Sequence, residues 1–318
     1  MRYWATRIAG AIVLLLVVSM LAFGAMNLLG DPLFNILGPT AGDVDNPESL
    51  AKIEAVKEEY NLDDPLPVRY VLWLGAFVQG DFGVQFSEDG QPPVSNLIVE
   101  RIPRTLSLLV MAQTMALLIS VPWALFAASR ANSKTDKVST VGAFWILSVP
   151  NYALAILISY LLAIRFDFFP LVYEAGDPLP SRFHQLMLPA FSLALPAAAV
   201  YQRLLRTDLI TTLQEDFILT ARAKGVSRRS VLLKHALRPS LFSFVTVFAL
   251  TTGALIGGAL IIENIFLIPG LGRALGEAVL REDFPVVLAI VMIGCAAYII
   301  VNLVVELVYS LIDPRVRR

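Results

Sequence analysis

Six runs of apolar residues, separated by polar and charged segments, set the pattern of this 318-residue chain. Each run has roughly the 20 residues that an α-helix needs to cross the hydrocarbon core of a bilayer. The pattern therefore predicts an all-α polytopic membrane protein with six transmembrane helices. The predicted spans are residues 8–29, 105–129, 138–164, 187–205, 241–262 and 286–311, with Pro189 and Pro196 interrupting the fourth.

Composition supports the membrane class and narrows the partners. Hydrophobic residues make up 57% of the chain and charged residues 16%, with a mean hydropathy of +0.69. Soluble domains carry about a quarter charged residues. The formal net charge is −1, so no nucleic-acid partner is expected. Cys295 is the single cysteine, which excludes an internal disulfide framework.

The distribution of charge predicts the orientation of the spans. Cytoplasmic loops of membrane proteins are enriched in Lys and Arg. With a cytoplasmic N-terminus, the inner segments hold 16 of the 25 basic residues, whereas 20 of the 26 acidic residues lie in outer segments. Six spans then place both termini in the cytoplasm. The inner segments are residues 1–7, 130–137, 203–240 and 313–318.

The long external loop after the first span is predicted to be ordered. Asn46 followed by Pro47 is a typical helix start. A second helix is predicted at 67–79, where Tyr70, Trp73, Leu74 and Phe77 share one face. That face suits either the membrane interface or packing on the protein's own helices. The predicted organisation is an N-terminal segment with the first transmembrane helix (1–29), an external loop subdomain (30–104) and a transmembrane core of five helices (105–318).

The residues indicate no catalytic site. The spans hold no nucleophile with a base, no paired aspartates and no metal-ligand spacing. The stretch "PGLGRALG" (269–276) has the wrong glycine spacing for a dinucleotide-binding loop, so we interpret it as a turn into a short helix. The chain has no P-loop motif. Glu263, at the outer end of the fifth span, is expected to border water.

Three glycines of the fifth span are predicted to support helix packing. Gly253 and Gly257 form a G-x-x-x-G pair, followed directly by Gly258. Small residues let helices approach closely in lipid, where the hydrophobic effect contributes little to helix association. The motif leaves open whether this helix packs on its own chain or on a partner.

The cytoplasmic stretch 213–238 is the strongest candidate site. A helix at 214–224 is predicted to end at Gly225, and Ser227 to cap a second short helix at 228–237 before Pro239. Phe217, Leu219, Ala221 and Gly225 are predicted to lie near one side of the first helix. A positive rim surrounds them, formed by Arg222, Lys224, Arg228 and Arg229. These features favour docking into a partner; the alternative is a basic loop that only anchors topology.

This stretch, "DFILTARAKGVSRRSVLLKHALRP", resembles the cytoplasmic EAA loop of permease subunits of oligopeptide and dipeptide ABC importers. Three other stretches are similar to the same family, at 63–83, 263–287 and 301–317, so the resemblance covers nearly the whole chain. It implies the type I ABC-importer permease fold. It places Leu219, Thr220 and Ala221 at the E-A-A positions and Gly225 at the glycine. Leu219 departs from the family's Glu, which removes a carboxylate.

The resemblance also implies the partners. The chain would pair with a second related permease in a heterodimer, with two cytoplasmic ATP-binding subunits and an external substrate-binding protein, in bacterial inner-membrane lipid. ATP and Mg²⁺ would bind to the partner ATPase subunits, and this non-catalytic chain would hold no cofactor. Residues 217, 219–222, 224 and 225 would couple it to the ATPase. Peptides are the implied substrate; nickel chelates, glutathione or another small solute, and more distantly a secondary transporter, are the alternatives.

Overall fold

The structure is a computed structural model that describes residues 2–29, 32–43, 45–86 and 90–312. Over these residues the regular structure is helical, apart from one isolated antiparallel bridge between Val84 and Pro93. The α-helices are α1 (Arg2–Leu29), α2 (Pro32–Leu37), α3 (Pro47–Glu59), α4 (Leu66–Val78), α5 (Val94–Ser129), α6 (Lys134–Ser148), α7 (Asn151–Ser159), α8 (Leu179–Thr212), α9 (Asp216–Ala223), α10 (Arg228–Ser230), α11 (Leu237–Ile265), α12 (Leu271–Leu280) and α13 (Phe284–Ile312). The predicted cytoplasmic tail at 313–318 lies outside the described residues.

Five continuous helical stretches are long and apolar enough to cross a membrane. They are Ala5–Leu28, Val94–Ser129, Leu179–Thr212, Arg228–Ile265 and Phe284–Val305, within the described residues. A sixth span exists only if the pair Lys134–Ser148 and Asn151–Arg165, bent by 103°, counts as one. The all-helical membrane fold is thus confirmed.

The bend divides the third span, predicted at 138–164, into two helices. It falls at Val149, which is extended (φ −91°, ψ 128°), and Pro150. A proline ring clashes with the backbone of the preceding residue and disfavours its helical conformation. The prediction from hydropathy alone did not account for this clash. After α7 the chain continues in a π-helical turn, Tyr160–Arg165.

Helix α8 corrects the interrupted fourth span. It runs for 34 residues, through both Pro189 and Pro196. Each proline removes one backbone hydrogen bond. Prolines are tolerated in membrane helices because neighbouring groups compensate the lost bonds. Both prolines lie among buried or partly buried residues, with Leu188 and Ala197 almost fully buried beside them.

The chain divides into two compact units. The first comprises Met1–Pro103 and Gly270–Ile299. In it, α3 begins as predicted, because the Asn46 side chain accepts a hydrogen bond from the Glu48 N–H at 3.0 Å. The short helix expected after the "PGLG" turn is α12. A buried apolar cluster joins the start of α5 to α12 and α13, formed by Val94, Ile98, Ala274, Ala278, Val286, Val287, Ala289 and Ile290.

The aromatic face of α4 packs on the protein's own first helix. The Phe23 ring lies 5.7 Å from Tyr70 and 5.4 Å from Trp73, between ring centroids. The hydroxyls of Ser19 and Tyr70 are 2.7 Å apart. Of the two alternatives left open by the sequence, packing within the chain is the one that the structure supports.

The second unit comprises Arg104–Pro269 and Ile300–Arg318. Its most extensive helix contact joins α8 to α11, and α6 and α7 also pack on α8. Glu263 is fully buried here and accepts a hydrogen bond from the Thr105 hydroxyl at 2.6 Å. The expectation that Glu263 borders water is therefore wrong. Its position at the end of an apolar run gave no sign of the packing around it.

Candidate functional site

Helix α9 presents one pair of residues to its own core and another to solvent. Ile218 is fully buried and Ala221 is 8% exposed, three residues apart on one helical face. Phe217 and Leu219 are 47% and 53% exposed. The prediction that Phe217, Leu219, Ala221 and Gly225 lie near one side is therefore wrong. Ala221 anchors α9, and the two exposed apolar side chains flank the anchored face.

The turn after α9 depends on Gly225. Its φ is +78°, in the left-handed region that favours glycine. The Gly225 N–H donates to the Arg222 carbonyl at 2.9 Å, and the Val226 N–H donates to the Ala221 carbonyl at 3.2 Å. These two bonds form a Schellman motif, which satisfies carbonyls at the helix end. The predicted helix end at this glycine is confirmed.

The predicted second helix exists, but it is not a separate element. The Ser227 side chain caps it as expected, accepting from the Ser230 N–H at 3.4 Å. The chain then passes through a π-helical turn, Val231–Ala236, directly into α11. Pro239 follows this π-helical turn and does not interrupt the helix. Helical backbone thus runs without a break from Arg228 to Ile265.

The basic residues around this segment are exposed, and one of them forms a specific hydrogen bond. Arg222, Lys224 and Arg229 are exposed. Arg228 donates from Nη2 to the carbonyl of Ser129 at 2.9 Å. Ser129 is the last residue of α5, and a cation at a helix C-terminus interacts favourably with the helix dipole. The segment is therefore tied to the end of a second membrane helix.

A buried ion pair lies just beyond the same helix end. Asp136, which is 2% exposed, receives two hydrogen bonds from Arg206 of α8, at 2.5 and 2.6 Å. The Asn132 N–H also donates to Asp136 at 2.9 Å. Such bidentate pairs combine charge with fixed geometry. Sequence reasoning missed this pair, although Asp136 is an acidic residue in a segment otherwise dominated by Lys and Arg.

The glycines of α11 differ in what they contact. A Cβ on Gly258 would lie 3.3 Å from Cδ2 of Leu193 in α8, whereas one on Gly257 would meet nothing within 4 Å. Gly257 is exposed and Gly253 is half-buried. Within this chain, close approach therefore occurs at Gly258, and packing of Gly257 on a partner stays a prediction.

Polar side chains inside the second unit form a small hydrogen-bond network. The Gln113 amide donates to the Tyr201 hydroxyl at 2.7 Å and to the Thr252 hydroxyl at 3.0 Å. These groups join α5, α8 and α11. Among the described residues, no group of three His, Cys, Asp or Glu side chains could hold a metal ion. The network holds helices together.

Comparison with protein families identifies the chain. Residues 1–109 match the N-terminal model of binding-protein-dependent transport system membrane components. Residues 120–318 match the model described as "Binding-protein-dependent transport system inner membrane component". The chain belongs to this family. It is a multi-pass permease subunit of the inner membrane, as the resemblance of its loop implied.

Similar proteins of the family match along nearly their whole length. The oligopeptide transport system permease protein AppB of Bacillus subtilis is 35% identical over 311 residues, 96% of each chain. The glutathione transport system permease protein GsiC of Escherichia coli K12 is 34% identical over 318 residues, covering 100% of this permease and 99% of that protein.

A solved structure shows the same fold. The MetNI methionine ABC transporter, in an inward-facing conformation, matches with a TM-score of 0.56 at 15% identity. The match covers 68% of this permease and 96% of that chain. At this identity the likeness concerns architecture alone, and it confirms the ABC-importer permease fold.

Proposed function

We propose that this permease forms half of the translocation path of an ATP-driven peptide importer, paired with a second, related permease chain. Family membership supports the importer, and the name of the 35% identical Bacillus subtilis relative supports an oligopeptide or dipeptide substrate. The 34% identical Escherichia coli relative favours glutathione as a second candidate. Glutathione is itself a small peptide-like molecule, so both candidates share amide chemistry.

The observation that carries the coupling role is the exposure of Phe217 and Leu219 on a helix that is otherwise held firmly. Apolar side chains at the centre of an interface supply much of its binding energy. Buried Ile218 and Ala221 fix α9 to the body of the unit. In our proposal, Phe217 and Leu219 enter a groove of a cytoplasmic ATP-binding subunit. Thr220, Arg222 and Lys224 form the polar rim of that interface.

The same contacts supply a route for movement. The turn at Gly225 leads into the unbroken helix from Arg228 to Ile265, so displacement of α9 acts on a membrane-spanning helix directly. The Arg228 contact to Ser129 connects the displacement to α5. ATP-driven closure of the two ATP-binding subunits would then reorient the spans between outward- and inward-facing states.

The remaining partners follow from the same proposal. An external substrate-binding protein delivers the peptide, and ATP and Mg²⁺ bind to the ATPase subunits rather than to this permease, which holds no cofactor and catalyses no reaction. Both termini and the segment 213–238 face the cytoplasm. A secondary transporter would instead work without an ATPase, and an assembly test separates these two mechanisms.

The test begins with co-purification of the tagged full-length permease from its native membrane. We expect a second permease chain and two ATP-binding subunits, and ATP-dependent uptake of labelled peptide by vesicles that contain the assembly and the binding protein. Competition with unlabelled di-, tri- and oligopeptides and with glutathione then assigns the substrate. Uptake by the isolated chain without ATP would overturn the proposal.

Replacement of Gly225 tests the coupling segment. Gly225→Val places a β-branched residue at φ +78°, where strain of about 1–3 kcal/mol is expected although nothing crowds the position. We expect ATP-driven uptake to fall about tenfold while membrane insertion is unchanged. Gly225→Asn is the matched control, because Asn tolerates the left-handed region. Equal uptake by both variants would contradict the role of this turn.

A further inference from the structure

A cavity of about 340 Å³ lies within the first unit, and none of its lining residues belongs to the cytoplasmic stretch 213–238. Small-molecule sites in proteins are concave, mostly apolar and about 300–1,000 Å³ in volume. This cavity lies at the lower end of that range. Its apolar lining comes from α1, α2, α4, the segment 82–86 and the start of α13: Phe23, Met26, Ile36, Leu62, Leu72, Trp73, Ala76, Phe82, Val84, Phe86, Phe284, Pro285 and Leu288.

Aromatic rings make one wall of the cavity. The rings of Trp73 and Phe23 both line the cavity and lie 5.4 Å apart, between ring centroids, and Phe82 and Phe86 are further aromatic lining residues. Ala76 interrupts this wall with a methyl group and leaves room beside the rings. The wall therefore suits a slender apolar group such as a hydrocarbon chain.

The cavity also lies at the ends of two candidate membrane spans. Phe23 and Met26 belong to the last turns of the span Ala5–Leu28, and Phe284 and Leu288 to the first turns of the span Phe284–Val305. Span ends are the depth at which lipid headgroups meet acyl chains. A lipid of the surrounding bilayer is therefore a ligand to consider for this cavity.

The polar lining combines one half-buried cation with two exposed carboxylates. Arg69 is half-buried, whereas Glu59 and Asp81 are exposed. Desolvation lowers the pKa of Arg69 below its ordinary value, with the charge of Asp64 acting in the opposite direction. Among the described residues, no carboxylate forms an ion pair with Arg69. Desolvation of Arg69 outweighs the favourable charge of Asp64, so a bound anion would stabilise the guanidinium further.

We propose that the cavity binds a phospholipid with a zwitterionic amine headgroup: one acyl chain lies along the aromatic wall, the phosphate contacts Arg69, and the amine faces Glu59 and Asp81. The chain, the phosphate and the amine of such a lipid each find a complementary part of the lining: the apolar residues, the half-buried guanidinium of Arg69, and the exposed carboxylates of Glu59 and Asp81. A guanidinium binds phosphate oxygens in a bidentate manner.

Charge distinguishes this ligand from the other lipids of a bilayer. An anionic headgroup would meet Arg69 favourably but would be repelled by Glu59 and Asp81. A quaternary amine lacks the N–H donors that two carboxylates can accept. Phosphatidylethanolamine can place its phosphate at Arg69 and donate its amine N–H groups to Glu59 and Asp81. We therefore expect affinity for the cavity to decrease from phosphatidylethanolamine to phosphatidylcholine to phosphatidylglycerol.

The test uses full-length permease in nanodiscs of equal parts phosphatidylethanolamine, phosphatidylcholine and phosphatidylglycerol with identical acyl chains. Lipid retained after extraction is counted by native mass spectrometry. Arg69→Gln removes the phosphate contact, and Ala76→Leu fills the space beside the rings. Lys52→Gln is the matched control, since Lys52 is an exposed cation of the same subdomain that does not line the cavity.

We expect Arg69→Gln and Ala76→Leu each to reduce retained phosphatidylethanolamine about tenfold, a typical effect of losing one charge-assisted contact. Lys52→Gln should leave retention unchanged. Glu59→Gln should weaken the preference for phosphatidylethanolamine over phosphatidylcholine. Equal retention by all variants would overturn the proposal. So would the absence of retained lipid in the wild type, which would indicate that a protein side chain rather than a lipid fills the cavity.

Discussion

The two units of this permease are packed by different means. Small side chains line α8 in the second unit, where the buried residues Ala190, Ala194, Ala197, Ala198 and Ala199 accompany the close contact of Gly258 with Leu193. Rings dominate the contact of α1 with α4 in the first unit, through Phe23, Tyr70 and Trp73. Rings also join α8 to α11, where Tyr201 lies 5.1 Å from Phe244 and 6.1 Å from Phe248, between ring centroids. The contact of α8 with α11 therefore combines close approach with aromatic contacts, whereas the contact of α1 with α4 depends mainly on rings.

The difference explains where polar groups and empty space occur. The Asp136–Arg206 pair joins α6 to α8, which pack on each other, and Asp136 is buried there. Rings are rigid and fill space less evenly, and the first unit contains the cavity beside Ala76. We therefore expect the second unit to respond strongly to changes in charge or volume, and the first unit to respond weakly.

The largest effect is expected for Asp136→Ala. Removing one partner of a buried ion pair leaves the other charge uncompensated, which costs about 3–5 kcal/mol. Arg206, at 21% exposed, would lose both of its hydrogen bonds to Asp136. Hydrogen exchange measured by mass spectrometry should show faster exchange in α6 and α8. Exchange in α3 and α4 should be unchanged.

The first unit offers the matched comparison for that variant. Lys52 and Glu48 form an ion pair at 2.9 Å, with side chains 57% and 78% exposed. Exposed pairs contribute little because water screens them. Lys52→Ala should therefore leave exchange in α3 nearly unchanged. Similar losses from the two variants would contradict the distinction between the units.

A smaller effect is expected from adding volume at Gly258. Gly258→Leu would force a side chain against Leu193, which is 2% exposed, and overpacking of this kind costs about 1–3 kcal/mol. Gly257→Leu is the control, because nothing lies within 4 Å of its added Cβ. The thermal unfolding midpoint of the purified chain in detergent should fall for Gly258→Leu alone.

The predictions that succeeded depended on local rules. The Asn46 cap, the helix end at Gly225 and the Ser227 cap each require only a few neighbouring residues, and the structure confirms all three. Hydropathy likewise located the apolar segments, because the length of a span is set by the thickness of the bilayer. These features depend little on what packs against them.

The predictions that failed depended on packing between distant residues. The burial of Glu263 requires Thr105, which lies 158 positions earlier in the chain. The pair of Asp136 with Arg206, which the sequence did not predict, likewise joins two helices. The error at α9 is instead local, because residues two positions apart, such as Phe217 and Leu219, lie on different sides of a helix. The continuity of α8 through its prolines depends on neighbouring helices. The spacing of apolar residues within a single segment does not indicate contacts with distant segments.

The smallest effect is expected for Tyr70→Phe, which tests the aromatic packing of the first unit. The variant removes the hydroxyl contact with Ser19 at 2.7 Å and keeps the ring beside Phe23. A single hydrogen bond contributes about 1 kcal/mol. Ser19 would keep its bond to the Leu16 carbonyl at 2.8 Å, so we expect a loss of about 1 kcal/mol or less.

The readout for Tyr70→Phe is hydrogen exchange in α4, compared with Tyr70→Ala. Tyr70→Ala also removes the ring contacts with Phe23 and Trp73, and each such aromatic pair adds about 0.5–1.5 kcal/mol beyond its buried area. Exchange should therefore be much faster in Tyr70→Ala than in Tyr70→Phe. If the two variants exchanged alike, the hydroxyl rather than the rings would hold α4 on α1. Aromatic packing would then not distinguish the first unit from the second.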